Sequence, residues 1–483
     1  MRLVSQTLAA CAMVLASISL PAQQTTAATS ARASSPGVRP FVAVDAPVVA
    51  LTHVRLIDGT GTAARDDQTI VITGERISAV GKSGSVAVPA DARVMDLTGH
   101  TVMPGIVGIH DHMYYSSVNG SLRPMLSSYP KLFLSAGITT IRTTGSADAY
   151  LELNLKGAID RGELVGPNVV VTGPYLQGPI GAGVGIMHPL GGAEDARRVV
   201  RYWAEEGVTW FKAYTTVSRA ELGAAIDEAH KRGVKVTAHL CSVGFREAVK
   251  LGIDNLEHGF LTNTEWYPGK EVDKCPTAGD SAIFAGLDVN GADVQRTIRE
   301  MVAARVAMTS TLAVFELSSP SRVPRDPRVL EALHPDVAKV VSAWYDRGAS
   351  TKDSVAQQVF RKHMEFERAF VKAGGLLAAG SDPCCLSAIA GYADQRNFEL
   401  LVEAGFRPEE AVQVMTANGA KVLGMQDRVG TVANGMQADL IVLNGDPTRT
   451  PSDIRNVVTV FRGGLGYDAA KLTAAVKGMI GIK

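Results

Sequence analysis

Neither sign of charge dominates this chain. Its 48 Lys+Arg stand against 48 Asp+Glu over 483 residues, a formal net charge of zero, which argues against nucleic acid as the main partner. Cysteine is scarce, with five in all, too few for a disulfide scaffold at this length. The N-terminal apolar run at 8–20, LAACAMVLASISL, falls short of the ~20 residues that span a bilayer. No Gly-x-x-x-x-Gly-Lys-Ser/Thr pattern follows a strand, so the glycines do not suggest a phosphate cradle. What is present is 46% hydrophobic residues. That is enough to bury a substantial core and excludes disorder, collagen and mini-protein readings for most of the chain.

Arg2, the short apolar run and the small residues after it, with Ala27 and Ala28 as a cleavage point, read as a secretory signal peptide over 1–28, followed by a Ser/Ala/Pro-rich linker over 29–47. The expected location is periplasmic or secreted, with no stable membrane anchor after cleavage. Leu8-Ala9-Ala10-Cys11 also resembles a lipidation box, but it arrives early and the apolar run continues past it. In an oxidising compartment Cys241, Cys275, Cys384 and Cys385 are free to form disulfides, and the sequence leaves their pairing open. Adjacent Cys384 and Cys385 read as packing residues or half of a longer bridge rather than as a redox centre.

Alternating runs with turn glycines (VVALTHVRLIDG, QTIVITGERISAVG, ARVMDLTGHTVMPG) predict antiparallel strands near the start, and VGTVANGMQADLIVLNGDP with VVTVFRGG repeats the pattern near the end. The two ends, 48–102 and 426–483, are expected to form one small β-sandwich domain. Between them, 103–425 alternates eight short apolar runs with amphipathic stretches such as SRAELGAAIDEAHKRG and FREAVKLG, each closed by glycine. The expected class is α/β, a (β/α)₈ TIM-like barrel, with an open doubly wound sheet as the alternative.

A parallel barrel carries its active site at the C-terminal ends of its strands. Here those ends hold metal-ligand residue types: His110 and His112 on the first strand, Lys212 on the fourth, His239 on the fifth, His258 on the sixth and Asp382 on the eighth. Period-two geometry points His110 and His112 the same way. With the flanks GHTVMPGIVGIHDH, WFKAY, VKVTAHLCSVG, NLEHG, AAGSD and GTVANGMQADLIVLNGDP, this ordered set resembles the amidohydrolase superfamily, in its imidazolonepropionase-like and prolidase-like branch. The resemblance implies that His110, His112 and Asp382 hold the more buried metal. It also implies that His239 and His258 hold the second and that Lys212, carboxylated on its side-chain nitrogen, bridges both.

Imidazole nitrogen and carboxylate oxygen suit Zn²⁺ and similar ions, and a lysine ammonium would repel two dications where a carbamate binds them. The cofactor expectation that the resemblance implies is two divalent ions, with zinc first. Asp382 is the expected proton carrier of a hydrolysis at a C–N bond. On the substrate side, Arg142 is a candidate clamp for a carboxylate, and Tyr214 shares the strand-end direction of Lys212. His188 lies in a glycine-rich segment that is a candidate cover for the mouth. His53, His100, His230, His334 and His363 fall outside the pattern and read as structural or exposed.

The expected activity is that of an exported binuclear amidohydrolase acting on a small amide or peptide, such as dipeptides or N-acyl amino acids. A mononuclear cyclic-amide hydrolase or deaminase with unmodified Lys212 is the alternative, and a non-catalytic barrel protein the third reading. Assembly into a homo-oligomer is left open.

Overall fold

The computed structural model describes residues 35–481 except 117–120, 179–186, 188, 277–280 and 353. The expected signal peptide, 1–28, lies outside the described residues. Near the start come β1 (Val42–Val44), β2 (Val48–Leu56), β3 (Arg65–Thr73), β4 (Arg76–Lys82), β5 (Arg93–Asp96) and β6 (His100–Pro104). The middle follows with β7 (Ile106–Asp111), a small hairpin of β8 (Tyr114–Ser116) and β9 (Leu122–Pro124), then β10 (Ile138–Thr143), β11 (Asn168–Val170) and β12 (Trp210–Ala213). It continues with β13 (Lys235–Ala238), β14 (Asn255–Glu257), β15 (Ala307–Ser310) and β16 (Leu377–Ala379), and the end contributes β17 (Leu440–Asn444), β18 (Val457–Arg462) and β19 (Leu465–Asp468).

Each of the eight apolar runs of the middle segment becomes a parallel strand. Their hydrogen bonding gives two sheets, β7-β10-β11 and β12-β13-β14-β15-β16. Every residue of β7 and of β10 is buried, as expected for parallel strands covered on both faces. A parallel bridge between Thr172 and Trp210 joins the two sheets. At the other edge Asp382 N donates to the carbonyl of His110 at 2.9 Å, so the exit of β16 lies beside β7. The class is α/β with parallel sheets in chain order.

The connecting helices start and stop where their chemistry dictates. Ser218 caps helix Arg219–Lys231 through a reciprocal capping box with Glu221. Helix Phe245–Leu251 ends on Gly252 in the left-handed conformation, which glycine reaches without steric cost.

The two chain ends form one sheet of nine strands in the order β1-β19-β18-β17-β6-β2-β3-β4, with β5 pairing β2. β17 bonds to both β6 and β18. The early and late strands are therefore continuous in hydrogen bonding, where the sequence led us to expect the two packed layers of a sandwich. Val49, Leu51, Ile70, Val102, Leu440 and Phe461 bury one apolar cluster on this sheet. The expected linker also contributes: its residues 42–44 are β1, which pairs with β19, because Val44 buries into that cluster. Among the described residues no helix is long and apolar enough to cross a membrane.

Among the described residues one disulfide is formed, Cys241–Cys275, at a sequence separation of 34 and a Cα–Cα distance of 5.0 Å. It ties the loop after β13 to the long excursion after β14. Cys384 and Cys385 are free.

Candidate active site

His110 and His112 lie at and just beyond the end of β7, their rings 5.4 Å apart and edge-on. Asp111, between them, points away to Ser381 Oγ at 3.1 Å; that hydroxyl also lies 2.9 Å from Asp394 Oδ2. A hydroxyl has one proton to give, so it satisfies two carboxyls only if one of them is protonated and donates to it. Burial supports this, raising Asp111 well above the carboxylate range and Asp394 to about 7.

Two ligand candidates leave the extended conformation. His258 has φ 70° and Asp382 φ 49°, a region that non-glycine residues seldom occupy and that clusters at functional sites. At His258 the departure breaks strand alternation, so that neighbouring Glu257 and His258 both reach inward. At β16 the approach needs a glycine, since a Cβ on Gly380 would lie 2.3 Å from His110 N. That close passage is what places Asp382 beside the histidines.

His110, His258 and Asp382 offer ligand atoms all within 4.8 Å of one another. Asp382 Oδ1 is 3.0 Å from His112 Nε2 and 3.7 Å from His110 Nε2. Lys212 Nζ lies 3.1 Å from His110 Nε2. His239 closes the group, its ring 4.5 Å from that of His258. The six residues picked from the sequence as metal ligands thus converge.

The electrostatics suit cations. Burial, with Lys212 nearby, takes His239 down to about 3 and His110 well below its usual value, so the imidazoles are neutral and their lone pairs available. Burial also lowers Lys212 to about 8. Desolvation opposes ionisation of Asp382, but His110, the hydrogen bond to His112 and Lys212 outweigh it and hold the carboxyl below its ordinary range. His258 Nε2 and His112 Nδ1 are buried with no hydrogen-bond partner. Orphaned imidazole nitrogens in a His/Asp cage are the donor set of Zn²⁺ and related divalent ions, so the residues fit such a metal.

Around this cage lie groups that the sequence reading did not single out. Glu257 Oε2 is 2.7 Å from His110 Nδ1, and its other oxygen accepts from Asn255 Nδ2 at 2.9 Å and from Thr237 Oγ1. Desolvation would raise Glu257, but Arg142, Lys212 and His258 outweigh it and keep it ionised. Thr311 Oγ1 is 2.8 Å from His258 Nδ1. Tyr114 stacks on His112 with centroids 4.5 Å apart, and its hydroxyl is 2.6 Å from that of Tyr175. A carboxylate inside the apolar run NLEHG was a usable signal for Glu257, and the two-residue step from His112 one for Tyr114. Tyr175 lies beyond the end of β11 and had none.

Tyr214 is half-buried at the site, its ring 4.9 Å from His239 and 5.3 Å from Tyr175. Arg142 requires a correction. Its side chain is fully buried, Nη2 donates to Glu257 Oε1 at 2.5 Å, and the guanidinium lies 4.4 Å from the centroid of Trp210. A cation engaged by a buried carboxylate beneath the cage does not present itself to a substrate. His188 lies outside the described residues. Of the histidines set aside, His363 is buried 3.2 Å from Glu367, and His230 and His53 pair with Asp254 and Asp67.

The pattern of the amidohydrolase family matches residues 101–465. Among characterised relatives, imidazolonepropionase of Hahella chejuensis is 58% identical over 38 residues, which is 8% of this chain and 9% of that enzyme. Imidazolonepropionase of Shewanella woodyi is 45% identical over 60 residues, 12% and 13% of the two chains. Among solved structures, a protein assigned as a prolidase from Bifidobacterium longum superposes with TM-score 0.64 at 27% identity, covering 88% of this chain and 95% of its own. A Xaa-Pro dipeptidase with methionine bound in its active site shares the fold, with TM-score 0.64 at 22% identity over 87% of this chain and 100% of its own. The chain belongs to the amidohydrolase family.

Proposed function

We propose that the chain is an exported binuclear amidohydrolase that cleaves the amide or peptide bond of dipeptides or N-acyl amino acids. The observation that carries this reading is the convergence of His110, His258 and Asp382 within 4.8 Å, with Lys212 Nζ 3.1 Å from His110. In it His110, His112 and Asp382 would hold one ion, His239 and His258 the second, and Lys212, as a carbamate, would be a ligand to both; zinc is the proposed metal. Only a neutral amine combines with CO₂, and burial brings Lys212 to about 8, where a useful fraction is neutral. The likeness to an assigned prolidase supports the substrate class.

Divalent ions at this site supply Lewis acidity, polarising the scissile carbonyl and making water nucleophilic near neutral pH. The residues of the chain do the rest. Asp382 is the least buried of the paired ligands, at 18% side-chain exposure, so it faces the side from which substrate arrives. It accepts the proton of the attacking water and delivers it to the departing amine. Glu257 holds His110 in one tautomer, and Tyr214 lines the substrate side. Residues 103–425 close as a (β/α)₈ barrel, the ends 48–102 and 426–483 cover it as one β-domain, and the leader is removed on export.

A second reading keeps one ion at His110, His258 and Asp382 with Lys212 as a plain amine, and the tightness of that trio favours it. The test is to offer the zinc-loaded protein dipeptides, N-acyl amino acids and cyclic amides while counting bound zinc. Two ions per chain with amine release from the first two classes is the expected result. One ion with cyclic-amide turnover favours the second reading, and two ions with no amide hydrolysed contradicts both.

A further inference from the structure

Two free cysteines lie near the site and take no part in the hydrolysis. Cys384 and Cys385 are adjacent, partly buried, and their Sγ atoms lie 2.9 Å apart. Their turn is pinned on both sides. Asp382 N donates to His110 O at 2.9 Å, Ser116 N to Cys384 O at 2.7 Å, and Ala388 N to Cys385 O at 2.9 Å, while the Tyr115 hydroxyl donates to Leu386 O at 2.7 Å. Asp382 and Leu386, at the two ends, both have φ 49°. The sulfurs are thus held together by a fixed main chain, less than ~1 Å short of a bond of about 2.05 Å.

We propose that Cys384 and Cys385 are a reversible dithiol–disulfide modification site, and that closing this ring loosens the hold of Asp382 on metal. The oxidant is a small-molecule disulfide. One cysteine thiolate attacks a sulfur of it and releases one thiol; the neighbouring thiolate then attacks the mixed disulfide and releases the second. Two cysteine S–H groups and one external S–S bond become one internal S–S bond and two external thiols.

Neighbouring Cα atoms are about 3.8 Å apart across a trans peptide, shorter than the usual 4.4–6.8 Å of bridged cysteines. The ring is therefore strained, and strained disulfides are the labile, regulatory ones. The chain already holds one disulfide, Cys241–Cys275, so its fold is compatible with oxidised sulfur. The two sulfur centres are also placed alike: Cys241 stands two residues after His239, and Cys384 two after Asp382. The first bond staples a ligand-bearing loop permanently, and the second acts on its counterpart reversibly. Strain at Cys384 is shared with a backbone already in the left-handed region at Asp382, and this weakens metal retention. The coupling to metal rests on the reading of Asp382 as a ligand, whereas the cross-link does not.

The experiment uses the full zinc-loaded protein, incubated with oxidised glutathione and mapped by mass spectrometry of non-reduced peptides, with zinc release to a chelator timed in parallel. Expected are a 384–385 cross-link beside an intact 241–275 bond, zinc release about tenfold faster, and reversal by mild reductant. Cys385→Ser should take at most one glutathione at Cys384 and show no ring. Free thiols, or glutathione adducts alone, in the wild type overturn the proposal. A closed ring with unchanged zinc release overturns its coupling to Asp382. A closed ring in a chain that binds no zinc in either form establishes the cross-link and instead contradicts the metal assignment.

Discussion

Glu257 Oε2 lies 2.7 Å from His110 Nδ1, with both side chains fully buried. The contact fixes which nitrogen of His110 is protonated: Nδ1–H donates to the carboxylate, leaving Nε2 as the lone pair facing Lys212 and Asp382. Carboxylate partners of this kind orient a metal-binding imidazole and raise its basicity. Glu257→Gln keeps the volume but loses the charge, and should weaken zinc affinity by about 10–100-fold, read by competition with a metal indicator. Unchanged affinity in a folded variant would remove Glu257 from the account.

Arg142 depends on the same carboxylate. Removing one partner of a buried ion pair strands the other charge, at a cost of about 3–5 kcal/mol. Arg142→Met should therefore lower thermal stability and reduce hydrolysis of carboxylate-bearing and amidated substrates alike. A loss confined to substrates with a free carboxylate would restore the clamp role that its burial argues against.

These two residues mark where the sequence stopped being informative. The strand-end pattern identified His110, His112, Lys212, His239, His258 and Asp382, because ligand chemistry at the ends of apolar runs is visible one residue at a time. The direction of a side chain is not visible in that way. Arg142 ends its run as His110 does, yet it points to Glu257 because β14, in the other sheet, places a carboxylate opposite it. Glu257 shares the inward face of β14 with Asn255, and His258 joins it there only by adopting positive φ, which no periodicity reveals. The terminal strands and their union in one β-domain were foreseen but not the order in which they pair, since the pairing of β17 with β6 is a long-range event that alternation does not encode.

Asp382→Asn tests the proton-carrying role. Asparagine nearly preserves the volume and still offers an oxygen, but it cannot take up the proton, and general acid–base steps contribute typically ~10²–10⁴-fold. We expect a kcat loss in that range at matched zinc occupancy, with the circular dichroism spectrum unchanged. Near-normal turnover at full occupancy would assign the proton to another group.

Away from the cage, Glu152 on helix Ala149–Asp160 gives a pH signature. Burial outweighs its hydrogen bonds from Ser146 and Thr143 and pushes its carboxyl from 4.5 up to about 7. A folded value above the unfolded one means that the folded state holds this proton more tightly. The contribution is complete below about 4.5 and is lost as pH rises through about 7, on the order of 3 kcal/mol in all. Glu152→Gln is neutral throughout. The fall in Tm between about pH 5 and about pH 9 should therefore be smaller in the variant than in wild type, and equal falls would show that Glu152 titrates normally.

The most direct measurement is metal removal and return. The protein is stripped with a chelator, its metal content is verified by elemental analysis, and Zn²⁺, Mn²⁺ or Co²⁺ is then added back while hydrolysis of a dipeptide or N-acyl amino acid substrate is followed. The cage of His110, His112, His239, His258, Lys212 and Asp382 predicts that turnover disappears with the metal and returns in step with occupancy. Full turnover in a sample verified to be metal-free would contradict it.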